Sequence, residues 1–260
     1  PEKHIISSST RLAKALAVGI LPFLPDSGTY DRAHLRSLVS ADSQYAYSAD
    51  PNTYGAGKEM GMMASLIPIA DQVGDTLSRD AIVAGLRAQL VNWFTYTPGE
   101  PSKYFYYDAG WRGLIGYNVG YNSNEYNDHH FHLGYHVYAA AVLSLYDTGF
   151  RQDYGPFLDF IVDHVANRDR GSATFPFLRQ MDVYEGHSYA SGMAVFNDGN
   201  NEESSGEAMN LWGGIILWGM IRNSTDTRDL GIWGYVTEAR ATREYWFNAD
   251  NDNYLPAYSK

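Results

Sequence analysis

The apolar residues of this chain recur at helical spacing, and this pattern limits the possible folds more than any other feature. Between 154 and 165 they stand at i, i+3, i+4, i+7, i+8 and i+11, which forms one stripe along an α-helix: Tyr154, Phe157, Leu158, Ile161, Val162 and Val165. Similar stripes are found at 83–93, 135–146 and 208–219, and further helices are expected at about 9–20, 57–73 and 229–246. The sequence therefore predicts an all-α fold.

Two long polar connections, 98–128 and 179–204, interrupt the helical pattern and are rich in Gly, Asn and Tyr. Connections of this length in a compact domain usually carry function. Strand signals are limited to two short arms, at Tyr104–Tyr107 and at Gly192–Asp198. Pro68 predicts a kink or an early end of its helix. We expect one domain in which the inter-helix loops gather on one face and form a cleft.

Charge and cysteine content exclude several classes of function. The formal net charge of −11 repels polyanions, so nucleic acid and anionic membranes are poor partners. Since there is no cysteine, disulfides, thiolate metal ligands and cysteine nucleophiles are excluded. No stretch approaches the eighteen or so apolar residues of a membrane span. The 21 tyrosines and 6 tryptophans suit either stacking on sugar rings or an aromatic-rich core.

Residues 128–136 concentrate titratable side chains: Asp128, His129, His130, His132 and His136. So many titratable side chains in a short segment indicate proton transfer, a metal site or the binding of a polar substrate. His132 and His136 stand at i, i+4 and could ligate zinc together with His129, but the Glu of the H-E-x-x-H pattern is missing. The interpretation that we favour is that these imidazoles bind sugar hydroxyls or orient a water.

Asp128 stands at the start of the helix predicted at 135–146. It is either an N-cap, for which Asp is favoured, or a general acid at the rim of the cleft. The second role conflicts with its position, because a helix N-terminus lowers the pKa of a carboxyl group. Burial beside Phe131 or Tyr126, or another nearby carboxylate, would have to raise that pKa.

A second acidic cluster occupies 202–207, with the sequence Glu-Glu-Ser-Ser-Gly-Glu. Ser204 and Glu207 fit a capping box, in which the Glu207 side chain reaches back. That reading leaves Glu203 unexplained, with Glu202 beside it. Carboxylates at a helix N-terminus stay ionised, as a general base requires. One protonated and one ionised carboxyl group from separate loops are what glycoside hydrolysis needs.

Residues 127–135, Asn-Asp-His-His-Phe-His-Leu-Gly-Tyr, resemble the Asn-Asp-His-His-Phe-His-Tyr-Gly-Tyr signature of glycoside hydrolase family 81, the endo-β-1,3-glucanases. Four other segments are similar to motifs of that family in the same order, at 54–58, 106–116, 182–192 and 202–208. The resemblance covers about residues 54–246. Three positions depart from it: Tyr189 for Trp, Glu202 for Gln, which adds charge beside the base, and Gly206 for Ser.

The resemblance implies an (α/α)6 toroid, complete or incomplete, with a single catalytic domain over 1–260 and without the β-sandwich domain that precedes it in the family. It also implies endo-acting hydrolysis of β-1,3-glucan with inversion, no metal or other cofactor, and secretion by a signal peptide outside this chain. Inversion predicts carboxyl groups roughly 6.5–9.5 Å apart across the cleft.

By position, Asp128 matches the family's general acid, and Glu203 and Glu207 match two carboxylates on the opposite side, one of them the base. Glu203 is favoured as the base, since Glu207 has the capping alternative. His132 matches a residue that holds the water or the substrate. The substrate-binding residues that we predict are Tyr107, Asp108, Trp111, His130, Asp182, His187 and Tyr189.

Two other functions remain open at this point. The chain could be a glucan-binding fragment without catalysis that uses Trp111 and Tyr189. It could also be a metal hydrolase built on His129, His132 and His136. The sequence does not indicate an oligomeric state.

Overall fold

The computed structural model of the protein describes residues 28–45, 50–193, 197 and 201–258. These residues form seven α-helices, two two-stranded sheets and two short 3-10 turns. The helices are α1 Arg32–Asp42, α2 Thr53–Gln72, α3 Thr76–Phe94, α4 His129–Tyr146, α5 Thr148–Ala166, α6 Ser205–Ile221 and α7 Thr225–Tyr245. The strands are β1 Tyr104–Asp108, β2 Gly113–Tyr117, β3 Met181–Asp182 and β4 His187–Ser188. The helix predicted at 9–20 lies outside the described residues.

Six of the helices form three helical hairpins, α2–α3, α4–α5 and α6–α7, whose members pack against each other. The connections within the hairpins are only one to three residues long. Each ends in a polar N-cap whose side chain accepts a backbone N–H of the next helix: Asp75, Asp147 and Ser224. Short capped connections force the two helices of each hairpin to run antiparallel.

The first helices of the three hairpins pack side by side, with α4 between α2 and α6. Glycines allow the close approach. A Cβ at Gly57 would lie 3.1 Å from His132 O, and a Cβ at Gly134 would lie 2.9 Å from Leu211 N. Because α4 is enclosed, almost all of its side chains from His129 to Ser144 are buried.

The prediction of an all-helical fold is confirmed, and helices are found at all the stripes within the described residues. Two details differ. Helix α2 continues past Pro68 to Gln72, because Ile67, Pro68 and Ala70 are buried and packing holds the helix across the missing hydrogen bond. Helix α1 was not predicted: its apolar stripe is only Leu35, Leu38 and Val39, and of these only Val39 is buried.

The predicted arm at Tyr104–Tyr107 is confirmed as strand β1, which pairs antiparallel with β2. The partner strand was not predicted, since its Gly113–Gly116 stretch is buried and does not alternate. Part of the arm predicted at 192–198 lies outside the described residues; β3 and β4 pair nearby. No helix in the described part of the chain is long and apolar enough to cross a membrane.

Candidate active site

The N-terminal ends of α2, α4 and α6 meet at one place. Thr53 Oγ1 lies 2.8 Å from His132 Nδ1, which joins α2 to α4. The Tyr54 and Tyr135 hydroxyls donate to Glu207 Oε1 at 3.0 and 2.8 Å, which joins both helices to α6. Three helix N-termini therefore direct their partial positive charge to the same region, where they stabilise ionised carboxylates.

Asp128 precedes α4 in the left-handed backbone region, with φ +59°, and its side chain makes no capping hydrogen bond. Asp128 therefore occupies the N-cap position, as the capping interpretation expected, but its side chain does not cap the helix. The Asp128 N–H donates to Ala190 O at 2.9 Å. Tyr121, Asn122 and Tyr126 also have positive φ. Non-glycine residues in this conformation cost free energy and cluster at functional sites, so the turn before α4 has the character of one.

Burial raises the pKa of the Asp128 carboxyl group to about 7, and the negative charges of Glu203 and Glu207 add to this increase. The three carboxyl groups thus lie within range of mutual repulsion. Desolvation and like charge outweigh the helix N-terminus, which would lower the pKa. Asp128 can therefore hold a proton near neutral pH.

Glu207 is held by hydrogen bonds to one of its carboxylate oxygens, Oε1. Lys58 Nζ donates to the Tyr54 hydroxyl at 3.2 Å, and that hydroxyl donates to Glu207. The Ser204 hydroxyl caps the Glu207 N–H at 3.3 Å, but the Glu207 carboxylate does not reach back. Instead, the Ser204 N–H donates to Glu202 Oε1 at 2.8 Å. Only half of the predicted capping box forms, which leaves the Glu207 carboxylate for the site.

Glu203 has the opposite environment. It lies just before α6 and its side chain is exposed. Among the described residues, the hydrogen bonds of this segment go to Glu202, Ser204 and Glu207, and none reaches the Glu203 carboxylate. Of the two candidate bases, Glu203 is the one with free lone pairs toward solvent.

The loop after β4 is fastened to the start of α4. Phe131, Ala190 and Ala208 form a small buried apolar cluster that joins this loop to α4 and α6. The Gly192 N–H donates to Asn127 Oδ1 at 2.8 Å. The segments that carry Asp128 and Glu207 therefore share one packed base, which fixes their relative position.

Gly192→Ala should lower the free energy of unfolding by about 1–3 kcal/mol, as overpacking commonly does. A Cβ at this position would lie 2.1 Å from Glu125 O and 2.3 Å from Tyr126 C, and backbone atoms cannot move aside cheaply. Urea unfolding measures the loss. The control is Gly206→Ala, because a Cβ there meets nothing within 4 Å. Equal stability of the two variants would contradict the close approach.

The histidines near Asp128 are mostly structural. His129 Nε2 donates to Ser123 O at 2.6 Å, and His129 Nδ1 lies 2.8 Å from His164 Nε2. His164 Nδ1 accepts the Leu114 N–H at 3.2 Å. Burial lowers the pKa of His129 to about 4, so both rings are neutral. This chain of hydrogen bonds ties α4 to α5 and β2.

The described ranges contain no group of three or more His, Cys, Asp or Glu side chains that could hold a metal ion. The Nδ1 atom of His132 contacts Thr53, and the Nδ1 atom of His136 lies 2.9 Å from His132 O. His129, His132 and His136 therefore do not form the ligand set that the metal alternative needs.

Three of the predicted substrate-binding residues lie on the β1–β2 arm. Trp111 is 62% exposed and Tyr107 is also exposed. Asp108 accepts the Tyr126 hydroxyl at 2.9 Å, and this hydrogen bond is the largest of the effects that lower the pKa of Asp108. The Tyr126 contact connects the arm to the turn that carries Asp128.

The remaining four predicted substrate-binding residues are less accessible. His130 is 1% exposed and neither ring nitrogen has a hydrogen-bond partner among the described residues. His187 is also buried, against the Trp246 ring. This burial corrects the expectation that His130 and His187 touch a substrate: the helices enclosing α4 and the residues after α7 cover them. Asp182 accepts two backbone N–H groups of the β3–β4 turn, and the half-buried Tyr189 donates to Arg179 O at 2.5 Å.

Tyr54, Lys58 and Tyr135 were not predicted as site residues, although all three lie in segments that resemble family motifs. The sequence spacing could have indicated them, because Tyr54 and Lys58 are one turn apart at the start of α2, and Tyr135 lies one turn after His132. A helix start rich in hydroxyl donors is what an ionised carboxylate such as Glu207 requires.

Fold and site together define a domain of α/α hairpins in which carboxyl groups cluster where the N-terminal ends of three helices meet. Clustered carboxyl groups of this kind are typical of glycoside hydrolases. The chain belongs to glycosyl hydrolase family 81: the model of the family's C-terminal domain matches residues 32–259.

Relatives and a solved structure agree with this assignment. The chain is 45% identical over 247 residues to a glucan endo-1,3-beta-D-glucosidase of Acetivibrio thermocellus, and 40% identical over 250 residues to one of Thermobifida fusca. These alignments cover 92% and 93% of this chain and 32% of each relative. A glycoside hydrolase family 81 structure from Clostridium thermocellum, solved as a mutant, superposes with a TM-score of 0.87 at 43% identity, over 92% of this chain and 34% of that one. The chain thus spans about a third of the length of these relatives.

Proposed function

We propose that this chain carries the catalytic centre of an endo-β-1,3-glucanase that inverts the anomeric configuration. The observation that supports this most is that burial and the charges of Glu203 and Glu207 raise the pKa of Asp128 to about 7, so that Asp128 can carry a proton near neutral pH. A protonated acid facing ionised carboxylates is the pair that glycoside hydrolysis uses. The names of the relatives support β-1,3-glucan as the substrate.

In the proposed reaction, Asp128 donates its proton to the glycosidic oxygen while the bond to the anomeric carbon breaks. Glu203 accepts a proton from a water that attacks the same carbon from the opposite face. Because the attack comes from opposite the β-oriented leaving group, the new reducing end is α. Asp128 ends ionised and Glu203 protonated, and exchange with solvent restores both.

Glu207 has a positioning role in this proposal. Its Oε1 already accepts the Tyr54 and Tyr135 hydroxyls, so it is less free than Glu203 to activate a water. Its negative charge instead helps to raise the pKa of Asp128. His132, which burial holds neutral and whose Nδ1 contacts Thr53, would orient the water or the sugar.

The exposed aromatic side chains of the β1–β2 arm would bind the glucan. Trp111 presents a flat face that suits stacking on sugar rings. Tyr107 is also exposed, although its ring packs against Phe175 and its hydroxyl donates to Thr174 O. A neutral polysaccharide also avoids the repulsion that a net charge of −11 imposes on anionic ligands. Since such a polymer is too large to enter a cell, we propose that the protein acts after secretion.

A reducing-sugar assay on laminarin tests the proposal. Release of reducing ends supports hydrolysis, whereas binding without release would support the glucan-binding alternative and overturn this one. Activity in the presence of EDTA is expected to equal activity without it, because none of the proposed steps uses a metal.

The same assay predicts a pH dependence. Because the pKa of Asp128 is raised to about 7, the acid is protonated below that pH and loses its proton above it. We expect kcat/KM to fall about tenfold per pH unit above pH 7. Glu207→Gln removes one of the charges that raise this pKa, so its alkaline limb should shift to lower pH. An alkaline limb unmoved in Glu207→Gln would contradict the repulsion between the two groups.

A further inference from the structure

The loop that carries Glu203 is joined to the last helix by a second pair of carboxyl groups, Glu202 and Glu238. Glu238 lies on α7 and is fully buried. It accepts the Ser188 N–H at 2.9 Å and the Trp212 indole N–H at 3.1 Å, both on Oε2. Since both donors are fixed by backbone or by packing, Glu238 is an immobile anchor for whatever contacts it.

Glu202 meets this anchor at the Ser188 hydroxyl. Ser188 Oγ lies 3.0 Å from Glu202 Oε2 and 2.9 Å from Glu238 Oε1, so one hydroxyl group bridges the two carboxyl groups. A serine hydroxyl has one proton and can donate along only one of these contacts. Two ionised carboxylates would therefore leave acceptors facing each other without a proton between them.

We propose that Glu202 is a positioning residue for Glu203: it keeps a proton that it shares with Glu238, and this shared proton ties the loop that carries the base to helix α7. The role for Glu203 rests on the proposed function, whereas the shared proton does not. Glu202 also accepts the Ser204 N–H at 2.8 Å, so it fixes the backbone on the other side of Glu203. The residue before Glu202 is also held, because the carbonyl oxygen of Asn201 accepts the Ala190 N–H.

Electrostatics agree with this geometry. Burial and the hydrogen bond and negative charge of Glu238 raise the pKa of Glu202 to about 9, against the smaller opposing effects of Ser188 and Ser204. From α7, the titratable group that faces Glu202 is Glu238. On the segment that carries Glu202 itself, the neighbouring titratable groups are Glu203 and Glu207. A neutral Glu202 adds no charge beside Glu203, which corrects the expectation from sequence that it would.

The shared proton has a thermodynamic consequence that can be measured without an activity assay. An unfolded Glu titrates near 4.3, so between about pH 5.5 and 8.5 the unfolded chain has lost the Glu202 proton and the folded chain retains it. Folding then takes up one proton, and the stability that Glu202 provides is lost as the pH rises toward about 9. Glu202→Gln keeps a hydrogen-bond donor but does not titrate.

Urea unfolding of the wild type and of Glu202→Gln at several pH values between 5.5 and 8.5 tests the proposal. The ratio of their unfolding equilibrium constants, wild type over variant, should rise about tenfold per pH unit. The matched control is Glu185→Gln, whose side chain is exposed in the β3–β4 turn and which should follow the wild type. A ratio that stays constant with pH would overturn the shared proton.

Kinetics test the positioning role. Glu202→Ala should lower kcat on laminarin by about 10²-fold with little change in KM, because a displaced base costs rate more than binding. Glu202→Gln should restore most of this loss. Absence of the loss, or a loss that Gln does not rescue, would overturn the positioning role. If Glu202→Ala does not fold, the linkage measurement still decides the shared proton. If the wild type itself does not hydrolyse laminarin, the proposed function fails and the linkage result stands independently.

Discussion

Asp128→Asn is expected to hydrolyse laminarin about 10³-fold more slowly than the wild type at pH 6, with kcat reduced and KM little changed. The amide has nearly the shape of the acid but has no proton of suitable acidity for the departing oxygen. Because the carboxyl group of Asp128 makes no capping hydrogen bond, the substitution should not unfold α4. Initial rates of reducing-end release measure the effect.

A substrate with a good leaving group separates acid catalysis from other losses. Dinitrophenyl β-laminaribioside needs no proton on its departing oxygen, because dinitrophenolate is a good leaving group. Asp128→Asn should therefore lose little of its rate on that substrate. Asp153→Asn, an exposed aspartate on α5, is the matched control and should behave as wild type on both substrates. An equal loss on both substrates would show that Asp128 is not the acid.

Glu203→Ala is the second variant with a large expected effect, again about 10³-fold in kcat, because the attacking water loses its base. Azide needs no base, since it has no proton to give up. It should therefore attack the anomeric carbon in the space left by the glutamate and restore turnover by at least about tenfold. The product would be an α-glycosyl azide, identified by NMR and mass.

Glu207→Ala is the comparison that separates the two glutamates. Its rate should also fall, since the Tyr54 and Tyr135 hydroxyls lose their acceptor and the pKa of Asp128 falls. Azide should not restore it, because Glu203 can still activate water. Azide rescue of Glu207→Ala in place of Glu203→Ala would exchange the two roles.

The sequence was sufficient for six of the seven helices in the described part of the chain. Apolar stripes such as that of α5 are local, so periodicity identifies them directly. The same method missed α1, whose apolar stripe is only three residues long. It also predicted a kink or an early end at Pro68, where the helix continues because Ile67, Pro68 and Ala70 are buried against distant parts of the chain, which a local pattern does not contain.

The chemistry of the site was less accessible from sequence for the same reason. The presence of Asp128, Glu203 and Glu207 was evident, but the burial that raises the pKa of Asp128 arises only in the folded chain, where the Asp128 N–H donates to Ala190 O. The neutral state of Glu202 depends on Glu238, which is 36 positions later in the chain. His130 was expected to contact a substrate and is buried, because neighbouring elements enclose the helix that carries it.

The measurement that tests the central claim most directly is the anomeric configuration of the first product. Hydrolysis of a laminari-oligosaccharide is followed by ¹H NMR within the first minutes, before mutarotation equilibrates the anomers. With Asp128 as the acid and a base-activated water opposite it, the α-anomer appears first and the β-anomer grows in later. If the β-anomer appears first, the reaction proceeds with retention, and the roles assigned to Asp128 and Glu203 are wrong.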